Sequence, residues 1–521
     1  MLVFALKPGH DGTVAVIRDR QLLYSLESEK DSFGRYAAVN VNTILDIAEH
    51  VDQLPDVVAL GGWREQGAMR HRSIGAGYDG LDALTQRPMR FFGKEVRLFS
   101  SSHERSHLMM ALGMAPRGEH PLQTVLVWEG DTGAFYLVDQ HFKVVKHIPV
   151  LTEPGGRFSF LFALADPSFP DEGALPRLND AGKLMALAAY ANPEDADADI
   201  SATVDRLLKT DSVYPAPKKD FRDCALYNAG VESQVTKTAA ALLTQRIFAL
   251  FADAAREHLP AGTPLRISGG CGLNCDWNAE WANLGHFSSV FVPPCTNDSG
   301  SAIGTAIDAL TTMTGDPYID WNVYSGLDFV HDTRPEPALW QRTALDHRAL
   351  AQALGQGRVV AWVQGRWEIG PRALGNRSLL AEPFRQDTKD LLNTIKQRET
   401  YRPIAPCCRI EDVDTVFDGA FEDPYMLYFR KVRRSSTVQA VTHVDGSARV
   451  QTVSRNSNRE LHTLLSAFAA EHGVGVLCNT SLNFNGHGFI NRMSDLVRYC
   501  EARGIHDMVV GDQWFQRLPQ V

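Results

Sequence analysis

Long apolar runs and long basic runs are both missing from this chain of 521 residues, and cysteine is scarce, at eight residues. No stretch approaches the roughly 20 apolar residues that a membrane-spanning helix needs. The opening Met1-Leu-Val-Phe-Ala-Leu-Lys-Pro-Gly9 has neither the basic start nor the long apolar stretch of a secretory signal. A soluble, cytoplasmic protein with no membrane partner is expected. With 52 basic against 62 acidic residues the net charge is −10, which disfavours broad binding to a phosphate backbone, so no nucleic-acid partner is expected. The cysteines are scattered, and the pair Cys271/Cys275 has no second Cys or His pair at zinc-ribbon distance. Buried free thiols follow.

What is present is ordinary for a globular protein: 44% hydrophobic and 22% charged residues, without a low-complexity tract. The length exceeds what one core usually supports, which implies two or three domains. Short β-branched runs at 2–6, 13–17 and 21–26 are separated by Lys7-Pro-Gly-His-Asp-Gly12 and Arg18-Asp-Arg20, a three-strand meander. The layout repeats at 124–128, 134–138 and 144–150, with Glu129-Gly130-Asp131-Thr132-Gly133 as the first turn. Two glycine-acid turns from related halves can present backbone N–H groups and carboxylates to a metal-nucleotide. This layout resembles the actin, sugar-kinase and heat-shock-chaperone superfamily; two unrelated hairpins are the plain alternative. Helical periodicity marks 103–114, 181–191, 235–258, 299–311, 347–355, 460–472 and 494–503. A proline- and aspartate-rich patch at 316–337 is the expected linker, dividing the chain into domains 1–340 and 341–521.

His103-Glu104-Arg105-Ser106-His107 matches the zinc-protease pattern H-E-x-x-H. His103 and His107, four apart on one helix face, are either two nitrogen ligands of one metal or two ordinary polar helix residues, and no third zincin ligand follows. Asp298, in Asn297-Asp-Ser-Gly300, is either a further ligand or a helix N-cap. Leu265-Arg-Ile-Ser-Gly-Gly-Cys-Gly-Leu-Asn274 reads as a strand entering a glycine turn, a phosphate or ribose cradle at Gly269 and Gly270. In the second half, Gly370-Pro-Arg372-Ala-Leu-Gly-Asn-Arg377-Ser378 sets arginines among glycines. Lys396-Gln-Arg398-Glu-Thr-Tyr-Arg402 adds cations, and Asn479-Thr-Ser481-Leu-Asn483 adds hydroxyls and amides. Cations with hydroxyls at strand ends suit a small phosphorylated substrate and a nucleoside triphosphate.

Together with Gly9-His10-Asp11-Gly12, these blocks resemble, over essentially the whole chain, the O-carbamoyltransferases of antibiotic and nodulation-factor biosynthesis. The resemblance implies an α/β protein. Its N-terminal domain would be actin-like (ASKHA), like the tRNA threonylcarbamoyl transferase, with duplicated halves; its C-terminal domain would be YrdC-like. It implies that carbamoyl phosphate and ATP (with Mg2+) give carbamoyl-adenylate in the C-terminal domain, and that the N-terminal domain passes the carbamoyl group to a small-molecule alcohol. Arg372, Arg377, Lys396, Arg398, Arg402, Asn479, Ser481 and Asn483, with Gly269, Gly270 and Asn274, would bind nucleotide and carbamoyl phosphate. A divalent metal, iron(II) in the family and zinc or manganese by ligand chemistry, would sit on His103, His107, Asp131 and Asp298. Glu129 is the alternative to Asp131. His10, with Asp11 beside it, is the candidate base. Within the family the N-terminal segment is nearest to members acting on the 3-hydroxymethyl group of a cephem in cephamycin biosynthesis, and the insert 61–78 would suit a carboxylated bicyclic acceptor. Aminoglycoside, macrolactam or sugar hydroxyls stay open, and nothing fixes an oligomeric state. Three rivals are weighed: a tRNA threonylcarbamoylation enzyme, which needs a basic face; a zinc protease; and a chaperone-like ATP module, which has no use for the arginine-rich second half.

Overall fold

The computed structural model describes residues 1–64 and 72–519. It divides into two compact units. The first gathers 1–114, 298–442 and 446–521; the second takes 115–297 and 443–445. Of the insert 61–78, residues 65–71 lie outside the described residues.

The first unit contains a six-stranded sheet in the order Gln21–Glu27, Thr13–Arg18, Leu2–Lys7, Val57–Gly61, Lys94–Ser101, Leu84–Phe91. Its first three strands form the antiparallel meander expected from the sequence, and Val57–Gly61 and Lys94–Ser101 extend it in parallel. The second unit repeats this plan: Val144–Pro149, Gly133–Asp139 and Leu122–Trp128 form a meander, and Leu265–Ser268 and Val290–Phe291 continue in parallel. The same order and the same switch from antiparallel to parallel pairing give the duplicated halves their physical form.

The first unit also holds an eight-stranded mixed sheet, in the order Trp340–Ala344, Gln513–Arg517, Asp507–Val510, Val360–Val363, Arg377–Ala381, Val476–Ser481, Ala405–Arg409, Gln451–Val453. Its central strand Val360–Val363 is apolar throughout, because both faces are covered. Along Val360–Val363, Ala361 and Val363 join one core with Leu379, Cys408 and Met508; Val360 and Trp362 join the other with Leu380, Leu464 and Phe468. Side chains alternating across a strand explain the split.

Helices form at His103–Gly113, Asp180–Ala188, Gln234–His258, Ser301–Thr314, His347–Gly355, Arg459–His472 and Met493–Arg503, matching the periodic segments. The patch 316–337 does not behave as a linker. Its backbone is bonded into the first unit, Asp320 N–H to Arg20 O at 2.9 Å, Gly326 N–H to Trp367 O at 3.0 Å and Val330 N–H to Asn491 O at 2.9 Å. All eight cysteines are free; Cys224 is half-buried and the others are buried. No helix among the described residues is long and apolar enough to cross a membrane.

Candidate active sites

The helix His103–Gly113 starts cleanly because Ser102 caps it, accepting from Arg105 N–H at 3.1 Å. It lies against the helix Ser301–Thr314, held by Arg105, whose Nε and Nη2 reach the Asp308 carboxylate at 2.8 and 2.6 Å. The chain enters that second helix through the short turn Asp298–Gly300. This crossing delivers Asp298 to the two histidines. His107 Nε2 is 3.2 Å from His103 Nε2 and 3.3 Å from Asp298 Oδ1, and His103 Nε2 is 3.6 Å from the same oxygen. All three side chains are buried.

Three donors converging at these spacings fit one divalent ion, since ligand bonds of about 2.1 Å place neighbouring donors roughly 3.0–3.4 Å apart. Two ring nitrogens facing each other in a buried site are also what a shared cation accounts for. Imidazole and carboxylate together suit iron(II), zinc or manganese.

Around this centre the first glycine turn supplies further groups. Lys7, 1% exposed at the end of its strand, places Nζ 2.9 Å from Asp298 Oδ2, also bonds His10 O, and lies 3.9 Å over the Trp63 ring. His10 Nδ1 is 2.9 Å from Asp11 Oδ2 and 3.7 Å from Asp298 Oδ2. Burial alone would raise the Asp298 carboxyl, but Lys7, then His103 and His10, hold it well below the usual carboxylate range. Burial works to lower His10, yet Asp298 and Asp11 outweigh it and raise the imidazole above its ordinary value. Gly9 has a positive φ of 79°, and a β-carbon there would strike Trp63 at 2.3 Å, so no other residue suits the turn. Trp63 packs edge-on against both His10 and His103, at 5.1 and 4.9 Å between ring centroids. Tyr78 lies on His103 at 4.5 Å and carries the Arg64 guanidinium 3.9 Å above its ring.

Glu104 has its own explanation. Its carboxylate accepts Gly80 N–H at 2.7 Å, and its N–H donates to Tyr78 O at 3.0 Å. It holds the turn that carries Tyr78.

The second cluster of candidates lies where the helix Gln386–Lys396 ends. Gln397 turns left-handed at φ 50°, presenting Lys396 and Arg398 on either side. Lys396 Nζ bonds Ser481 Oγ at 3.1 Å and also Asn483 Oδ1, and Ser481 Oγ lies 2.6 Å from Asn483 Oδ1. Arg398 is steered by Asn393 Oδ1 at 2.6 Å and Pro403 O at 3.2 Å. Burial, then Arg398, Arg402, Arg35 and Arg503, push the Lys396 ammonium well below its usual range. Burial, with Arg402 and Arg449, lowers Arg398 to about 9. Cations crowded together under burial are a cost that a bound polyanion offsets.

Other candidates from the same motifs do different work. Arg377 is 0% exposed. Its guanidinium donates to Gln364 O at 2.6 Å, Asn376 O at 2.8 Å, Gly365 O at 2.9 Å and Asn491 Oδ1 at 2.7 Å. Asn479 donates to Ala373 O and Gln451 Oε1 at 3.2 and 2.8 Å, and Arg372 bonds Met426 O. Buried Glu368, which the sequence reading passed over, accepts Leu374, Asn376 and Arg377 N–H at 2.6, 3.1 and 3.3 Å. The glycine-arginine block is thus tied down by its own polar groups.

In the second unit three glycine segments meet. A β-carbon on Gly269 would fall 2.4 Å from Trp128 O, and one on Gly155 2.9 Å from Glu129 O. Gly270 opens outward with nothing against it. Asn274 caps the helix Cys275–Asn283, its Oδ1 accepting Asp276 and Trp277 N–H at 3.1 and 3.3 Å. In the acidic turn Glu129 is buried, at 3% exposure, and Asp131 is half-buried.

Lys7 and Glu368 escaped the sequence reading, and Trp63 was read only as part of the insert 61–78. For Lys7 the available signal was a lysine closing an apolar strand directly before a glycine turn.

A family model described as the carbamoyltransferase N-terminus matches residues 92–307, and one described as the carbamoyltransferase C-terminus matches residues 351–517. The chain is 68% identical over 521 residues to a protein of Streptomyces clavuligerus named 3'-hydroxymethylcephem-O-carbamoyltransferase, covering 99% of each. It is 68% identical over 517 residues to the protein of that name in Amycolatopsis lactamdurans, again covering 99% of each. To nodulation protein U of Sinorhizobium fredii it is 31% identical over 538 residues, covering 94% of this chain and 95% of the relative.

Proposed function

Because the chain belongs to the carbamoyltransferase family, we propose that it transfers a carbamoyl group to the 3'-hydroxymethyl group of a cephem, a step of cephamycin-type antibiotic biosynthesis. The observation that carries this reading is 68% identity, over 99% of both chains, to relatives named for that reaction. Carbamoyl phosphate and ATP are the proposed carbamoyl and activating donors.

A carbamate is a poor electrophile until its oxygen carries a good leaving group. In the first step carbamoyl phosphate loses phosphate to water, and the carbamate oxygen attacks the α-phosphorus of ATP, releasing pyrophosphate. Lys396, Arg398 and Arg402 would bind the phosphates and oppose the charge that builds there, with Ser481 and Asn483 orienting Lys396. Arg372 and Asn479 bond the backbone of neighbouring segments and would shape that site. We assign this step to the C-terminal part, from about residue 341, as a YrdC-like element.

In the second step the acceptor hydroxyl attacks the carbamoyl carbon, and AMP leaves with the electron pair of the broken C–O bond. His10, oriented by Asp11 at 2.9 Å, would take the hydroxyl proton. His103, His107 and Asp298 would hold a divalent metal, which when bound supplies Lewis acidity toward the adenylate phosphate. The acidic turn is the proposed source of a fourth ligand, from Glu129 or Asp131. Gly269 and Gly270 offer close backbone approach to the nucleotide.

The test is to incubate the protein with ATP, carbamoyl phosphate and a panel of alcohols that includes a 3-hydroxymethylcephem. The expected result is a carbamate mass increment on the cephem, with AMP and pyrophosphate formed. ADP as the sole nucleotide product would remove the adenylate mechanism; a carbamate on another alcohol alone would move the acceptor.

A further inference from the structure

At the end of the third strand, Glu27, Ser28, Glu29 and Lys30 are all buried, at 5% exposure or less. Charged residues are seldom buried unless they are paired. Here the shared partner of Glu27 and Lys30 is the backbone of one residue. Glu27 Oε1 accepts Gly370 N–H at 2.6 Å, and Lys30 Nζ donates to Gly370 O at 2.8 Å. Lys30 also lies 3.6 Å from Glu27 Oε2 and 3.6 Å over the Phe489 ring. Both polar groups of Gly370, where the glycine-arginine block begins, are therefore held by the N-terminal segment.

The chain then runs as a strap along residues 486–492. Ser32 N–H donates to Phe489 O, Gly488 N–H to Phe33 O and Arg35 N–H to Gly486 O, each at 2.9 Å. Asp31 receives Arg492 Nε at 3.0 and 3.1 Å. The strap passes beside the Lys396 cluster, because Asn483, which accepts from Lys396, donates through Nδ2 to His487 O at 2.8 Å, and His487 pairs with Gly34 in an isolated bridge. Arg35 is one third exposed, with Nε 3.1 Å from Glu29 Oε2. That leaves a guanidinium steered by one carboxylate, on a backbone bonded to Gly486 in the segment that reaches Asn483.

We propose that Arg35, carried by the strap 27–37, is a further phosphoanion-binding residue of the Lys396–Arg398–Arg402 site, with Glu27 and Lys30 as its positioning residues. Its charge is already felt there, since Arg35 is among the groups that depress Lys396. The ligand is a phosphoryl anion, of ATP or of carbamoyl phosphate. The inference rests on the proposed use of that cluster for adenylation.

The test is calorimetric binding of ATP and, separately, of carbamoyl phosphate to the full chain, for the unaltered protein, Arg35→Ala and Arg35→Lys. Melting temperature serves as the control for folding. Arg35→Ala is expected to weaken one of the two ligands about tenfold, in the range of a lost charge-assisted bond, with Arg35→Lys recovering part of it. Whichever ligand weakens names the phosphoanion that Arg35 meets. Both affinities within twofold of the unaltered protein would overturn the proposal. If the unaltered protein binds neither ligand, or binds both without forming pyrophosphate, the adenylation reading itself fails, and the two failures are told apart. Should Arg35→Ala not fold, Arg35→Gln gives the same comparison.

Discussion

Gly304 lies so close to Ser106 that a β-carbon on it would fall 1.8 Å from the Ser106 carbonyl oxygen. The neighbour is helix backbone, which cannot swing aside. Gly304→Ala should therefore push the helix Ser301–Thr314 off the histidine helix, at a cost of about 2–3 kcal/mol. Asp298, at the head of the displaced helix, would leave the two imidazoles. A loss of metal affinity of about 10- to 100-fold is expected, read by elemental analysis beside a thermal melt.

Removing ligands directly separates the two proposed half-reactions. His103→Ala, His107→Ala and Asp298→Ala should each strip the metal and abolish carbamate formation, yet leave pyrophosphate release from ATP and carbamoyl phosphate in place. Loss of pyrophosphate release along with the metal would contradict that division. Paired variants Glu129→Ala and Asp131→Ala identify the acidic-turn ligand by metal content. Glu129 is the expected one, because it is the buried carboxylate of the two.

Gly488 offers a second backbone test. A β-carbon there would meet the Glu29 carbonyl oxygen at 1.9 Å and Lys30 N at 2.9 Å. Gly488→Ala should lift the strap from residues 486–489, costing about 1–3 kcal/mol, and slow pyrophosphate release while metal content stays at the level of the unaltered protein.

A pH effect follows from Asp423. Its buried carboxylate accepts Tyr425, Leu427 and Tyr428 N–H at 3.1, 2.8 and 3.0 Å, yet burial outweighs these bonds and Arg372, pushing it up to about 6. A folded value above the unfolded one means that the native state binds the extra proton. The contribution is complete below the ordinary carboxylate value and is lost as pH rises through about 6. Between pH 5 and 7 the unaltered protein should lose about 1 kcal/mol more stability than Asp423→Asn, which has no such proton to release. Urea midpoints across that range check it.

The meanders were legible because strands of five to seven residues alternate with turns whose glycines and aspartates have few other uses. That His103 and His107 share a helix face was legible from spacing, but like Asp298 they carried two readings, and their convergence with Asp298 needed the fold. The arginines divide instructively. Arg377 stands among glycines and Arg398 in a glycine-free run with Lys396 and Arg402, and a guanidinium in either setting serves a phosphate and a carbonyl oxygen alike. Only the fold shows that Arg377 spends its donors on Gln364, Gly365 and Asn376. Asn274 is a similar case, since an amide that could meet a ribose serves equally as a helix cap. The helix Pro154–Ala165 was missed because it is buried on nearly every side and so lacks a polar face to give it a period. The burial of Glu27 and Lys30 was hidden because their partner lies 340 or more positions away.

That separation also sets an order of events during synthesis. The second unit draws nearly all its residues from 115–297, so its sheet can close once that stretch has left the ribosome. The strap 27–37 bonds Gly12 and Thr43 early, but the residues that cover its charged stretch come much later. Its counterpart at 486–492 emerges some 450 residues later, roughly 20–90 s at about 5–20 residues per second. An apolar segment left uncovered for that time would seek other chains. A segment of carboxylates and an ammonium stays hydrated while it waits, so the charges that pair with Gly370 in the finished protein also protect the unfinished one.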